Sequence, residues 1–377
     1  MTSYQKIDRN PFPGPTGFPG ITLHRTERDQ KDAPIVSDRD LIPRHTRLLR
    51  VDPASPDSDI LREAAETILR GGLVAIPTET VYGLAANAWD DSAVKSIFAT
   101  KKRPSINPLI VHVADEVMVK SVVAAWPPMA RELAAKFWPG PLTLVLPKAA
   151  TLPDAVTAGG STVAVRWPTH AVALGVIRAA GVPLAAPSAN LSGELSPTRA
   201  DHVLRSLAGR IDLILDAGPT TAGIESTVID LTHSPPRLLR PGPISVAQIE
   251  AVIGPLARLK FPAETLDAVL PSPGMLARHY APRTRLEIVA AEHLRFRTAE
   301  LTGQGERVGT LCSTVGSDWD QNVVRLSCDA VEFAARLFEV LHDLDGRGLT
   351  VLLVERPPDT DDWLAVSDRL ARAATPA

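Results

Sequence analysis

Four polar clusters in the chain combine residue types that can do chemistry. "PTETVYGL" places Thr78, Glu79, Thr80 and Tyr82 directly after the apolar run "LVAI". "KKRPSINPLIVH" holds Lys101, Arg103 and Asn107 in a segment stiffened by Pro104 and Pro108, and ends on His112. A lysine and an arginine on a stiff loop suit a polyphosphate, one as a point charge and the other as a planar fork. "APSANLSGELSPT" brings Ser188, Asn190, Ser192, Ser196 and Thr198 after another apolar run. "GIESTVIDL" and "RLLRPG" set Ser226 before one strand and Arg240 after another, while Arg166 closes "TVAVR". Together the four cations could line one anion-binding pocket.

Each cluster also has a plainer account. Threonines in a turn satisfy their own backbone. Cations past a helix end complement its dipole. A histidine inside a strand is commonly a satisfied core residue. Ser196 in "SPT" reads as a cap for the next helix, and isolated arginines at strand ends are usually surface residues. These accounts leave "SAN" and the proline-bracketed Asn107 unexplained.

In open α/β sheets ligands sit beyond strand ends, where loops present polar groups on a rigid base. The elements that must position these clusters are legible. Ile60, Leu61, Ala64, Ala65, Ile68 and Leu69 recur at helical spacing from about Ser58, and Gly71-Gly72 stops the helix. "LVAIPT", "PLIVHVA", "LTLVLP", "TVAVRWP", "PLAAPSA", "IDLILDAG" and "STVIDLT" read as strands. Helices are expected over about 91–100, 129–137, 170–180, 198–208 and 245–253. The alternation argues for an α/β sheet covered by helices, and the consecutive strands "LTLVLP" and "TVAVRW" make it mixed. Beyond a Pro-rich stretch at about 254–283, a second rhythm of strands and helices predicts a smaller Rossmann-like α/β domain. That domain has no Gly-rich phosphate loop, so its shape alone implies no ligand. Residues 1–56, rich in proline and in charges of both signs, read as an extended arm.

Composition narrows the classes. The chain has 377 residues, 45% of them hydrophobic, enough for two domains. No apolar run is long enough to cross a membrane, and the N-terminus has no apolar targeting core, so a soluble cytoplasmic protein is expected. Two cysteines, Cys312 and Cys328, provide neither metal-ligand spacing nor a disulfide framework. A formal charge of −3 supplies no overall pull toward nucleic acid.

In order along the chain, "PTETVYGL", "KKRPSINPLIVH", "FWPGPLTLVL", "TVAVRWP", "PLAAPSANLSG", "GIESTVID" and "LLRPG" resemble the YrdC-like family of threonylcarbamoyl-adenylate synthases. "SPGMLARHYAP" and the domain after it are similar to the family's longer, two-domain form. The resemblance covers roughly residues 57–377. It implies a YrdC-like twisted mixed open sheet with helices over 57–254, a linker or lid over 255–283, and a Rossmann-like C-terminal domain over 284–377. The implied reaction condenses L-threonine, bicarbonate and ATP to threonylcarbamoyl-AMP and pyrophosphate. The product would pass to the transferase that modifies tRNA, with at most a weak RNA contact by this chain.

By motif position, threonine would be bound by Thr80, His112, Arg166, Ser188 and Ser226. ATP would be bound by Lys101, Arg103, Asn107, Thr162, Asn190, Thr198, Arg240 and Tyr280. Lys101 and Arg103 are the expected catalytic groups, acting electrostatically. Magnesium would arrive with ATP, held by phosphate oxygens and water and by no protein ligand. The chain departs from the family pattern at Ile106, at Leu276 and Ala277 in the linker, and in the last helix, "DWLAVSDRL". The last two departures bear on how tightly the linker and second domain close over the nucleotide. Rival readings are a double-stranded RNA binder, a hydrogenase-maturation carbamoyl-transfer protein, and a regulatory relative without activity. Charge opposes the first, the lack of Cys-rich zinc motifs the second, and intact "KKR" and "SAN" the third.

Overall fold

The computed structural model describes residues 44–258, 270, 272–274, 276, 278–314, 316 and 322–374. The first half runs β1 (Arg47–Arg50), α1 (Ser58–Leu69), β2 (Val74–Ile76), β3 (Gly83–Asn87), α2 (Asp91–Lys101), β4 (Ile110–His112), α3 (Glu116–Val122), α4 (Pro128–Phe137), β5 (Leu142–Pro147) and α5 (Asp154–Thr157). Then come β6 (Thr162–Arg166), α6 (Ala171–Ala180), β7 (Leu184–Ala185), α7 (Ala200–Leu207), β8 (Leu213–Asp216), β9 (Thr227–Asp230), β10 (Arg237–Arg240), α8 (Val246–Ile253) and β11 (Ala257–Arg258). The last part comprises β12 (Arg285–Val289), α9 (Leu294–Gly303), β13 (Val308–Cys312), β14 (Val323–Arg325), α10 (Ala330–Asp345), β15 (Val351–Glu355) and α11 (Leu364–Ala373).

The first eleven strands form one mixed sheet in the order β1-β8-β2-β3-β7-β4-β6-β5-β9-β10-β11. The consecutive strands "LTLVLP" and "TVAVRW", expected to make the sheet mixed, pair antiparallel as β5 on β6. The last four strands form a smaller, wholly parallel sheet in the order β12-β15-β13-β14. Two details depart from the sequence reading. Most of the arm assigned to residues 1–56 lies outside the described residues, but its 47–50 stretch is the edge strand β1, parallel to β8. At the other edge, residues 257 and 258 of the expected linker pair with β10 as β11.

Alternation along the strands explains where the site lies. Ala75, Leu84, Val111, Leu144, Val165 and Ile229 point to one face, into the main core under α2, α4, α7 and α8. On the opposite face, Val74, Ile76, Ala85 and Leu184 pack under α1 and α6. Those two helices cover only the half from β1 to β7. Ile110, Ala164, Val145, Val228 and Leu239 form a separate small cluster on the β4–β10 half. Its described cover is Leu270 and Leu276, from the linker. The β4–β10 half of that face is thus left to the linker.

Candidate active site

Strand register lines the uncovered face with polar groups. His112 at the end of β4 pairs across to Arg166 at the end of β6, and Arg166 pairs with Thr143 on β5. Thr143 lies beside Val228 of β9, and its hydroxyl meets that of Ser226 at 2.7 Å. Four neighbouring strands therefore present a row of imidazole, guanidinium and two hydroxyls, spanning about 14 Å at the usual strand spacing. Arg240, closing β10, extends the row: its Nε donates to the Ser226 carbonyl at 3.0 Å and its Nη2 to the Ser226 hydroxyl at 3.1 Å.

The loop after β2 bends onto this row. Thr80 accepts a hydrogen bond from Arg166 Nη1 at 2.8 Å, and the Thr78 and Thr80 hydroxyls are 2.9 Å apart. Glu79 sits 2.6 Å from Arg166 Nη2, an ion pair without hydrogen-bond alignment at either end. The hydroxyl of Tyr82, in the same motif, points into the main core instead. It donates to the Gly218 carbonyl at 2.7 Å and accepts from Ala217, so this residue is structural.

At the other end of the strands, α2 is capped by Asp90 and ends on Lys102 in the left-handed region, φ 51°. That reversal turns Lys101 and Arg103 inward. Both are buried, so they are packed into the fold and not carried on an exposed loop. The Lys101 ammonium donates to the Ser188 carbonyl at 2.5 Å and to the Asn190 carbonyl, fixing the "SAN" turn. Arg103 donates to the Asn107 carbonyl at 2.8 Å, the Asn107 Oδ1 at 2.7 Å and the Pro108 carbonyl at 2.7 Å. Stiffness at Pro104 and Pro108 thus serves to hold a buried guanidinium.

One cavity is bounded by all five residues assigned to threonine, Thr80, His112, Arg166, Ser188 and Ser226, and by Arg103, Arg240 and Tyr280 from the nucleotide set. Lys101 and Asn107 lie behind its wall, as supports for Ser188 and Arg103. Thr162 sits at the other end of β6 from Arg166, about 13 Å away along the strand. By the register of Ile110 with Ala164, it is level with Pro108. Asn190 is turned toward Lys101 and Glu194, and buried Thr198 contacts His202. Ser196 does not cap α7, whose N-cap is Arg199; its hydroxyl donates to Glu225. Glu225, directly before Ser226 in "GIESTVID", and His279 also bound the cavity, and the sequence assigned neither of them a role.

The linker closes the cavity from above. Tyr280 is 1% exposed and holds a φ of 60°, a left-handed conformation rare for a bulky aromatic. The Leu270 N–H bonds to the Ile106 carbonyl at 3.0 Å, and Leu276 packs onto the apolar cluster of the sheet. The Leu276 departure is therefore part of linker docking, whereas Ile106 takes part through its backbone carbonyl alone; Ala277 lies outside the described residues. The remaining cavity, about 40 Å³, is far below the few hundred Å³ of a typical ligand site.

Electrostatically the site is cationic and dry. Burial, then Arg103, pushes the Lys101 ammonium well below its usual pKa. Burial brings Arg103 down to about 9, still a cation at neutral pH. His112, lowered to about 3 by burial and then by Arg166, is neutral, and its Nδ1 is buried without a partner. Glu225 stays below its ordinary range although burial opposes its charge, because Arg369 and Arg240 outweigh burial. Among the described residues no cluster of His, Cys, Asp or Glu could hold a metal. Glu225, the carboxylate that lines the cavity, is committed to Arg369, and Glu79 to Arg166 beside it.

Comparison with known proteins matches this geometry to a family. The Sua5–YciO–YrdC profile, whose description reads telomere recombination, matches residues 66–242. The profile for the threonylcarbamoyl-AMP synthase C-terminal domain matches residues 244–375. The threonylcarbamoyl-AMP synthase of Pyrococcus abyssi is 45% identical over 83% of this chain and 94% of its own length. The Bacillus subtilis threonylcarbamoyl-AMP synthase is 43% identical over 86% and 95%. A crystal structure of P. abyssi Sua5 complexed with L-threonine superposes with a TM-score of 0.82 at 42% identity, covering 87% of this chain and 97% of that one.

Proposed function

The chain belongs to the threonylcarbamoyl-AMP synthase family in its two-domain form and is an enzyme, and from that premise we propose that it condenses L-threonine, bicarbonate and ATP to threonylcarbamoyl-AMP and pyrophosphate. The observation that carries this reading is the row of His112, Arg166, Thr143 and Ser226 across four strands, flanked by Arg103 and Arg240. It offers neutral and cationic donors and hydroxyls to an anion, with no nucleophile–base pair among them.

That donor set suits the chemistry. The threonine amine and bicarbonate give a carbamate and water. A carbamate oxygen then attacks the α-phosphorus of ATP, and pyrophosphate leaves. The nucleophile is already anionic, so the protein's part is alignment and charge stabilisation. Arg166 and Thr80 would orient the amino acid, and His112, neutral at physiological pH, would offer an uncharged imidazole beside it. Arg103 would lie along the phosphates, with Lys101 setting the Ser188–Asn190 turn beneath it. Thr162, level with Pro108, suits a nucleotide laid along the strands. Magnesium, entering on the triphosphate and held by phosphate oxygens and water, would supply further charge neutralisation when bound.

Linker residues occupy the face that ATP needs. The described linker residues around Leu276 and Tyr280 would lift to admit the nucleotide and settle back to keep water from the labile adenylate. The product's use would be threonylcarbamoyl transfer to tRNA by a separate enzyme. The test is to incubate the protein with ATP, bicarbonate and a panel of amino acids and to measure pyrophosphate. Release is expected with threonine well above the rest; release independent of any amino acid would overturn the assignment.

A further inference from the structure

The second domain reaches into the site through one turn of its last helix. Arg369 on α11 is fully buried. Its Nε donates to Glu225 Oε2 at 2.8 Å, and its Nη2 to the Pro241 carbonyl at 3.0 Å and the Glu225 carbonyl at 3.4 Å. Its Nη1 donates to Asp368 at 2.7 Å, and the guanidinium carbon stands 5.1 Å from the centre of the Tyr280 ring. Arg372, three residues on, donates to the Leu276 carbonyl at 2.6 Å. The last helix that carries the departure "DWLAVSDRL" thus contacts the linker through both Arg369 and Arg372.

Burying a guanidinium costs several kcal/mol of hydration, and packed apolar groups in its place are often no worse for stability. Stability alone gives little reason for Arg369. What it touches gives a better one. Glu225 precedes Ser226, and its second cationic neighbour is Arg240, the cavity guanidinium bound to Ser226. A Glu225 carboxylate released from Arg369 would turn to Arg240 and neutralise the cation that faces the substrate anion.

We infer that Arg369 is a positioning residue supplied by the C-terminal domain: it holds Glu225 away from Arg240 and braces the Tyr280 ring, keeping Arg240 available to the nucleotide. The inference rests on ATP being a substrate of this cavity. It reaches beyond the catalytic domain, because the group that sets the charge balance of the pocket comes from a different sheet.

Titration calorimetry with Mg-ATP on the full chain tests it, since binding is read whether or not the condensation proceeds. Arg369→Met is expected to weaken ATP binding at least tenfold, with threonine affinity changed less. Adding Glu225→Gln in that background removes the competing carboxylate and should return the ATP affinity to within about threefold of the parent. If Arg369→Met does not fold, Arg369→Lys decides: one ammonium cannot span Glu225 and Pro241, so a severalfold loss relieved by Glu225→Gln is expected. Unchanged ATP affinity in the folded variant, or a loss that Glu225→Gln does not relieve, overturns the inference. A parent protein that binds no ATP would instead overturn the functional reading beneath it.

Discussion

At the scale of single residues, burial rewrites what the sequence suggests. Arg103 makes three hydrogen bonds to the Asn107–Pro108 segment and faces the cavity, so Arg103→Ala removes both a support and a charge. Turnover at saturating ATP is expected to fall roughly 10²- to 10³-fold, the range for losing one preorganised donor, with thermal unfolding also shifted downward. Near-normal turnover would remove Arg103 from the reaction. Gly274 has a φ of 84° and lies under the Tyr280 hydroxyl, closer than a Cβ could tolerate. Gly274→Ala should therefore displace Tyr280 and weaken ATP binding in calorimetry; unchanged binding would mean that Tyr280 does not depend on this seat. The five residues that motif resemblance assigns to threonine, Thr80, His112, Arg166, Ser188 and Ser226, all bound one cavity, so their places in it were legible. Glu225 was not, because a lone carboxylate beside a serine carries no signal until its partner, Arg369, arrives from a remote helix. Ser196 misled for the same reason: "SPT" obeys capping rules, but a buried carboxylate within reach claims the hydroxyl.

At the scale of elements, hydrophobic periodicity located most of the long helices and the buried strands. It missed β3, where "GLAAN" is too small-residued to read as a strand, and β1, whose four residues "RLLR" gain strand geometry only from pairing with β8. Such elements are made by tertiary pairing rather than by propensity. The linker behaves likewise. Proline and glycine mark it as irregular, yet Leu276 gives it a docking face on the apolar cluster of the sheet. On the proposal that the linker lifts to admit nucleotide, that contact is given up when nucleotide enters. Leu276→Ala should therefore shift the balance toward the nucleotide-accepting arrangement and tighten ATP binding by a few-fold, since apparent affinity scales with the competent fraction. Weaker binding in calorimetry would show that Leu276 instead helps to hold the nucleotide.

At the scale of the whole molecule, two sheets share one site: the large mixed sheet carries the donors, and the small parallel sheet's domain anchors the cover. Between them His202 on α7 stacks on His342 on α10, ring centres 3.9 Å apart, and His342 bonds to the Ser196 carbonyl. Burial, then His342, lowers His202 to about 3; burial lowers His342 to about 4 and His112 to about 3. Histidines depressed in the fold take up protons preferentially in the unfolded chain. Their contribution is complete above pH 6.5 and is lost as pH falls toward 4, at up to about 1.4 kcal/mol per pH unit for each histidine. Urea unfolding should show a markedly lower midpoint at pH 5 than at pH 7; equal midpoints would mean that these histidines are not held neutral. The central claim, that three substrates are joined in this one pocket, is tested most directly with carbon-14 bicarbonate. The protein is incubated with labelled bicarbonate, threonine and ATP, and the label in nucleotide products is counted against pyrophosphate. One label per pyrophosphate, in an AMP adduct that forms only with threonine, is the expected result. Pyrophosphate released without label in the nucleotide, as in simple aminoacyl adenylation, would contradict it.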